Sequence, residues 1–368
     1  MLSDRLYQIG LTLIEGVGDI HAKALLAYCG SAEQVFKEKK AVLQKIPGIG
    51  EVVARSIFHS KHSLKRAEKE LEFIHKYKIQ AMFFTDDAYP YRLKYCHDAP
   101  VMLYYKGNAD LNAERMVAVV GTRAPSDYGK QKVQELIVEL SGSPTVIISG
   151  LAYGVDGLAH RAALDEGLPT VGVLAHGLDR IYPPAHDNMA KKMIQNGGLL
   201  TDFMSETNPD AVNFPKRNRI VAGLCDALVV IESKRTGGSL ITATIANSYN
   251  KDVFAYPGRA GDQMAEGCNG LIKRNKAGLI ESGEDLLYAM QWLPKEAKKR
   301  TSVQLPLLLN LSAPEKQILA LFEGRNHVHI DEICHSLAMP VSKVSSLLLT
   351  MEFANLIKSL PGKMFAAL

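Results

Sequence analysis

Between Met116 and Gly258 the chain alternates short apolar runs with longer segments of helical character. The runs "MVAVVG" (116–121), "TVIISG" (145–150), "TVGVLA" (170–175), "GLLTDF" (198–203), "ALVVIES" (227–233) and "DVFAYPG" (252–258) are rich in Val and Ile, and most close on Gly or a polar turn. A strand that is apolar on both faces must be covered on both faces, so these runs predict a parallel sheet with helices on either side. The expected fold class is α/β, built on an extended Rossmann-type, doubly wound sheet. Ligands of such sheets bind beyond the carboxyl ends of the strands. That directs attention to Gly121-Thr122-Arg123, to Ser149-Gly150, and to the stretch from Glu232 to Ser239.

The pattern differs at both ends. "LIEGVGDIHAKALLAYCG" from Leu13 and "LQKIPGIGEVVARSIFHS" from Leu43 each place G-x-G before small and apolar residues at helical spacing. Together they predict an N-terminal helical domain, resembling a helix-hairpin-helix pair, over 1–70, with the sheet domain over 71–292. Gly48 and Gly50 permit a tight turn and leave N–H groups free at a helix start, where a phosphate can sit. A helical bundle that uses the glycines only as turns satisfies the pattern equally. The basic, Pro-containing stretch "LPKEAKKRTSVQLPLLLN" reads as a linker over 293–311.

From Ser312 come a capped segment "SAPEKQILALFEG", a short helix "IDEICHSLA", a turn at Met339-Pro340, a longer helix "SKVSSLLLTMEFANL" and a Gly-tipped hairpin. This order predicts a winged-helix-like domain over 312–368. Its second helix holds Lys343 as its only cation. That is poor equipment for reading base edges, so a protein-contact or docking role is expected.

With 368 residues and 47% hydrophobic content the chain can bury a large core. The N-terminus "MLSDRLYQIG" is charged where a signal peptide would be apolar, and no apolar run approaches the ~20 residues of a membrane span. A cytoplasmic location without a membrane partner is expected. Cys29, Cys96, Cys225, Cys268 and Cys334 are scattered without C-x-x-C spacing, so reduced, structural cysteines are expected. Net charge is only +4, and residues 115–292 hold 18 basic against 19 acidic side chains. Bulk charge therefore does not mark a nucleic-acid binder. Local clusters do, at Lys216-Arg217-Arg219, Lys234-Arg235 and Lys273-Arg274-Lys276.

"SKRTGGSLITATIANSY" follows the strand "ALVVIE". Glycines between a strand and a helix point backbone N–H groups at an anion, with the helix dipole adding attraction. This stretch is either a phosphate cradle or a tight strand-to-helix turn. No Walker A loop and no G-x-G-x-x-G accompany it, so no nucleotide cofactor is expected. Arg123 stands after the first predicted strand, and arginine suits bidentate phosphate binding. Ser149, Asp156 and His160 invite a hydrolase reading, but Ser149 is not in a G-x-S-x-G elbow. An Asp156-to-His160 hydrogen bond bracing a helix is expected instead.

"NFPKRNRIVAG" sets Lys216, Arg217 and Arg219 inside an apolar run. They either bridge acids such as Asp226 or Glu232, or face an anion beside the glycine turn. Shared anion binding with Arg123 is the simpler account, and Phe214 and Tyr182 would add surfaces for base stacking.

The ordered set "GTR-x-x-S-x-YG", "SGLAYGVDGLAHRAAL", "GLDRIYP", "NFPKRNRIVAGL", "VVIES…TGGSLITA", "VFAYPG" and "GCNGLIKRNKA" resembles the DNA-processing protein A family, DprA or Smf. The flanking parts resemble accessory domains of that family. The resemblance implies a homodimer that binds single-stranded DNA, protects incoming DNA, and loads RecA in natural transformation or recombination. It implies no catalytic residue, metal or cofactor. The family's DNA-contacting arginine falls on Arg123, its R-N-R element on Arg217, Asn218 and Arg219, and its glycine-rich turn on Gly237, Gly238 and Ser239. With Ser149, Gly150, Phe214, Lys216 and Lys273 these form the expected single-stranded DNA site.

Two departures stand out. "LLTDF" replaces a common Leu-Ser-Glu, and Cys268 replaces Thr or Ser, which predicts a difference in local pocket polarity. A second reading is a nucleotide-monophosphate phosphoribohydrolase of the LOG type. Such enzymes carry a working Glu in P-G-G-x-G-T-x-x-E, and here "RTGGSLITATIA" has no carboxylate.

Overall fold

The computed structural model describes residues 2–292 and 311–367, apart from 324, 326 and 355. All of the expected linker except Leu311 lies outside these residues.

The strands are β1 (Gln80–Phe83), β2 (Met102–Gly107), β3 (Arg115–Val120), β4 (Thr145–Ser149), β5 (Thr170–Val173), β6 (Gly197–Thr201), β7 (Ala227–Val230), β8 (Asp252–Ala255) and β9 (Gly278–Leu279), followed by β10 (Val328–His329), β11 (Ile357–Leu360) and β12 (Met364–Ala367). β1 to β9 form one sheet in the order β1-β2-β6-β5-β4-β3-β7-β8-β9. β3 to β9 pair in parallel where they adjoin, and β2 joins the edge antiparallel to β6. All six predicted strands are present as β3 to β8. Val117 pairs with Ile147 on one side and Ala227 on the other, and β3 to β7 are buried along almost their whole length. Each such Val or Ile contributes roughly 1.5–3 kcal/mol of burial.

β1, β2 and β9 were not foreseen. β1 and β9 are too short to show a period. β2, "MLYYKG", is aromatic rather than Val- and Ile-rich, and it pairs with a strand about ninety residues away.

The chain runs β3-β4-β5-β6 outward, then returns through the helix Asn213–Leu224 to lay β7 on the other side of β3. The sheet therefore has its topological switch at β3, the place where a doubly wound sheet opens a crevice.

Two hairpin turns build the helical domain. Gly16 and Gly48 take positive φ (81° and 83°), and Gly18 and Gly50 cap the helices Asp19–Cys29 and Glu51–Phe58. Asp19 Oδ1 accepts from the Val101 N–H at 2.8 Å, so the first turn docks on the strand side. A boundary at residue 70 falls inside the continuous helix Lys61–Tyr77, and the helical core continues into Phe83, Met102 and Tyr104 of β1 and β2.

The C-terminal part places helices Ala313–Ala320, Ile330–Leu337 and Val341–Phe353 beside the three-stranded sheet β10-β12-β11, which is the predicted winged helix. No single described helix is long and apolar enough to cross a membrane.

Candidate nucleic-acid interface

At the switch point the loops after β3, β4 and β7 surround a cavity of about 320 Å³. Arg123, Gly150, Arg217, Asn218, Gly237 and Ser239 all line it. The residues come from four separate segments of the chain, and the fold brings them to one sheet edge.

The helix Asn213–Leu224 explains how an arginine enters the core. Among its buried positions Asn213, Arg217, Ile220, Val221 and Leu224 recur at helical spacing, with Ala222 and Gly223 also buried near its end, so Arg217 occupies the pocket end of an apolar stripe. It is 5% exposed, and its Nε is buried without an acceptor among the described residues. A Cβ added to Gly150 would lie 1.7 Å from Arg217 Nη1 and 2.4 Å from Asp156 Oδ2. Only glycine at 150 lets the guanidinium and carboxylate approach the loop so closely. Burial pushes the Asp156 carboxyl above its ordinary range, while the Arg217 charge pulls it back. Burial likewise lowers Arg217, and Asp156 opposes that. An anion arriving here meets a guanidinium that is only partly neutralised.

Arg123 is exposed at the rim, its guanidinium 5.5 Å above the Phe214 ring centroid. Phe214 in turn lies 6.2 Å from Tyr182, the rings tilted by 59°. A second, smaller cavity shares Arg123, Phe214 and Arg217 with the first and adds Tyr182. The arrangement sets an aromatic platform beside a cationic, glycine-lined cradle. The helix Gly238–Ser248 begins at that cradle with no side-chain cap, so its positive end is available to an anion.

The loops are fastened from below. Ser126 caps the helix Asp127–Leu140 by accepting from the Gly129 N–H at 3.1 Å, and Glu232 accepts from Ser126 N and Oγ at 2.8 and 2.5 Å. A Cβ on Gly129 would meet Glu232 Oε2 at 2.2 Å, which accounts for the glycine in "S-x-YG". Glu232 thus ties the loop after β7 to the loop after β3. Ser126, Gly129 and Glu232 stand inside the sequence motifs, but no local pattern assigns them these supporting contacts.

The expected Asp156–His160 bond is not made. His160 Nε2 donates to the Gly150 carbonyl at 2.7 Å, and Nδ1 faces Thr170 Oγ1 at 2.7 Å. A carbonyl only accepts, so Nε2 carries the proton. Burial drives the imidazole down to about 4, which keeps it neutral. His160 therefore braces the loop through Gly150, and Asp156 is left facing Arg217.

Comparison with known proteins decides the family. Residues 80–291 match the model described as DNA recombination-mediator protein A, and residues 304–363 match the DprA winged helix domain. The chain belongs to the DNA recombination-mediator protein A family. It is 30% identical to the Synechocystis Protein Smf over 98% of each chain. The Streptococcus pneumoniae DNA processing protein A structure superposes with a TM-score of 0.67 at 35% identity, covering 77% of this chain and 97% of that one. A Helicobacter pylori DNA processing protein A structure, reported for its single-stranded DNA binding mode, gives 0.53 at 29% identity over 58% and 96%.

Against the family's motifs, four expected site residues lie elsewhere. Ser149 is fully buried and donates its hydroxyl to the Val119 carbonyl at 2.6 Å, so it supports the loop from beneath. Lys216 is exposed on the outer side of its helix, and Lys273 is exposed on the helix Glu266–Lys273, away from the cavity lining. Arg219 faces the opposite way. Two residues beyond Arg217 is roughly 200° around a helix, which carries it to Asp202 and Asp19 at 2.8 and 2.9 Å. The three cations of "NFPKRNRIVAG" thus go to solvent, to the cavity and to the seam with the helical domain. Neither acid named from sequence receives one of them, because Asp226 holds Arg92 at 2.6 Å and Glu232 holds Ser126.

The two departures also resolve. Asp202 of "LLTDF" is the acceptor of Arg219. Cys268 is buried under β7 with its thiol pushed up to about 12, and it does not line the cavity. Lys234, a flanking cation not included in the expected site, does line it.

Proposed function

We propose that this protein binds single-stranded DNA in the cradle at β3 and β7, protects it, and loads RecA onto it as a homodimer in the cytoplasm, without catalysing a reaction on the DNA. The observation that carries this reading is the convergence of Arg123, Arg217 and the Gly237–Gly238 turn on one cavity beside the Tyr182–Phe214 pair. Cations and free helix N–H groups suit phosphates, and unstacked bases can lie on the aromatic faces. A duplex keeps its bases stacked and presents grooves that nothing here reads. The similarity to the Helicobacter pylori protein, reported to bind single-stranded DNA, supports the same choice.

The phosphoribohydrolase reading requires a carboxylate on the helix after the glycine turn, and Gly238–Ser248 has none. Asp156, the carboxylate in the lining, faces Arg217 instead. A gel shift with oligo-dT and with duplex, beside an assay for base release from AMP, tests the reading. Strong preference for oligo-dT without base release is expected, and equal affinity for duplex or release of adenine would overturn it. RecA filament growth on oligo-dT, with and without the protein, tests the loading step.

A further inference from the structure

The winged helix sits against the sheet domain through an aromatic seam. The Tyr95 ring stacks on His329 with centroids 4.2 Å apart and planes 14° apart, and its hydroxyl donates to Glu332 at 3.0 Å. Tyr91 meets His327 at 3.8 Å. Beside this seam is a cavity of about 130 Å³, bounded by the loop around Tyr249–Lys251 and by the wing tip Pro361–Met364.

Lys251 lines that cavity while only 8% exposed. Its Nζ lies 3.6 Å from where a Cβ on Gly362 would stand, so the ammonium reaches the wing tip. The backbone N–H of Lys251 donates to the Ala246 carbonyl, but the ammonium has no hydrogen bond or ion pair among the described residues, and the Asp252 carboxylate feels it only at longer range. Its stem is buried while the ammonium keeps contact with the cavity's solvent, where it is open to an entering anion. Arg92 Nη1 is buried without an acceptor among the described residues, although Nε and Nη2 of the same side chain grip Asp226.

Lys363 and His329 complete the lining on the wing side. Asp331 is the carboxylate there and is 72% exposed; its Oδ2 lies 3.6 Å from His329 Nδ1, which accepts from the Asp331 N–H at 3.2 Å. Burial, and after it Lys363 and Lys251, hold the His329 imidazole below its ordinary range against the pull of Asp331. Lys251 and Lys363 outnumber the one carboxylate of the lining. The cavity is too small for a whole nucleotide, since ligand pockets usually start near ~300 Å³.

We propose that this seam is a phosphate-binding site, in which a single phosphate group bridges Lys251 of the sheet domain and Lys363 of the wing. The compact, triply donating ammonium suits such a group, and a bridging anion would fasten the winged helix to the sheet. The phosphate belongs either to a free small anion or to the DNA backbone.

The test follows the His329 ring signals by NMR in the full-length protein, identified with His329→Gln, during titration with inorganic phosphate. Saturable movement is expected. Lys251→Arg should keep it, and Lys251→Met should weaken it at least tenfold with oligo-dT binding at the β3–β7 cradle retained. If Lys251→Met fails to fold, Lys363→Met gives the same reading from an exposed position. No saturable movement in the unaltered protein, or unchanged phosphate affinity in the methionine variant, overturns the proposal. A titration with oligo-dT identifies the source: movement of the same signals assigns the phosphate to DNA, and movement with inorganic phosphate alone assigns a free anion.

Discussion

Arg219 Nη2 lies 2.8 Å from Asp202 Oδ2, and its Nη1 lies 2.9 Å from Asp19 Oδ2, so one side chain ties the end of β6 to the first helical hairpin. Burial raises the Asp202 carboxyl and Arg219 opposes that rise. Removing the cation leaves two acids facing each other with little water. Arg219→Ala is expected to lose roughly 3 kcal/mol or more of stability, the usual cost of breaking a buried pair. Affinity for oligo-dT, measured per folded molecule, should stay unchanged. Thermal unfolding and anisotropy on the same preparation check both halves, and weakened binding at full stability would place Arg219 on the DNA after all.

Arg217 should behave differently, because it serves the cavity and neutralises Asp156 at once. Arg217→Ala is expected to weaken oligo-dT binding by about 1.5–3 kcal/mol, the range for hydrogen bonds to charged groups, and also to lower the melting temperature. Adding Asp156→Asn removes the carboxylate that has lost its cation. The double variant should recover melting temperature and not affinity. Recovery of both would show that Arg217 acts only by holding the fold.

His160 gives the fold a signed pH dependence. Its folded value is about 4 against an ordinary 6.5, with burial as the main cause. A depressed value means that the unfolded chain accepts a proton that the folded one refuses. Its contribution is therefore complete above 6.5 and is lost as pH falls through that window toward 4, reaching roughly 3 kcal/mol. Denaturant midpoints of the unaltered protein and His160→Gln at several pH values across the window provide the check. The variant's profile should be flatter, and parallel profiles would refute the assignment.

The sequence made the sheet domain legible because its central strands are buried on both faces and therefore read as unbroken apolar runs. It also made the cradle legible, since Gly237, Gly238 and Arg123 follow those runs directly. Directions of side chains within one helix were not legible in the same way. Lys216, Arg217 and Arg219 are near neighbours in sequence yet diverge around the axis, and the apolar stripe of Arg217, Ile220, Val221 and Leu224 was the available sign of which one turns inward. Ser149 misled because a serine beside a glycine turn resembles a ligand contact, whereas its hydroxyl serves the Val119 carbonyl. The acid that receives Arg219 comes partly from the helical domain, a pairing across about two hundred residues that no local pattern announces.

The most direct test of the account concerns Arg123, which is exposed, packs over Phe214, and lines both cavities. Fluorescence anisotropy of labelled oligo-dT, titrated with the unaltered protein and with Arg123→Ala over a series of salt concentrations, separates a phosphate contact from a structural one. Arg123→Ala is expected to keep its melting temperature, to bind more weakly at low salt, and to show a log-log salt slope shallower by about 0.7, the share of one single-strand phosphate. Equal affinity and equal slope for the two proteins would contradict a phosphate contact at Arg123.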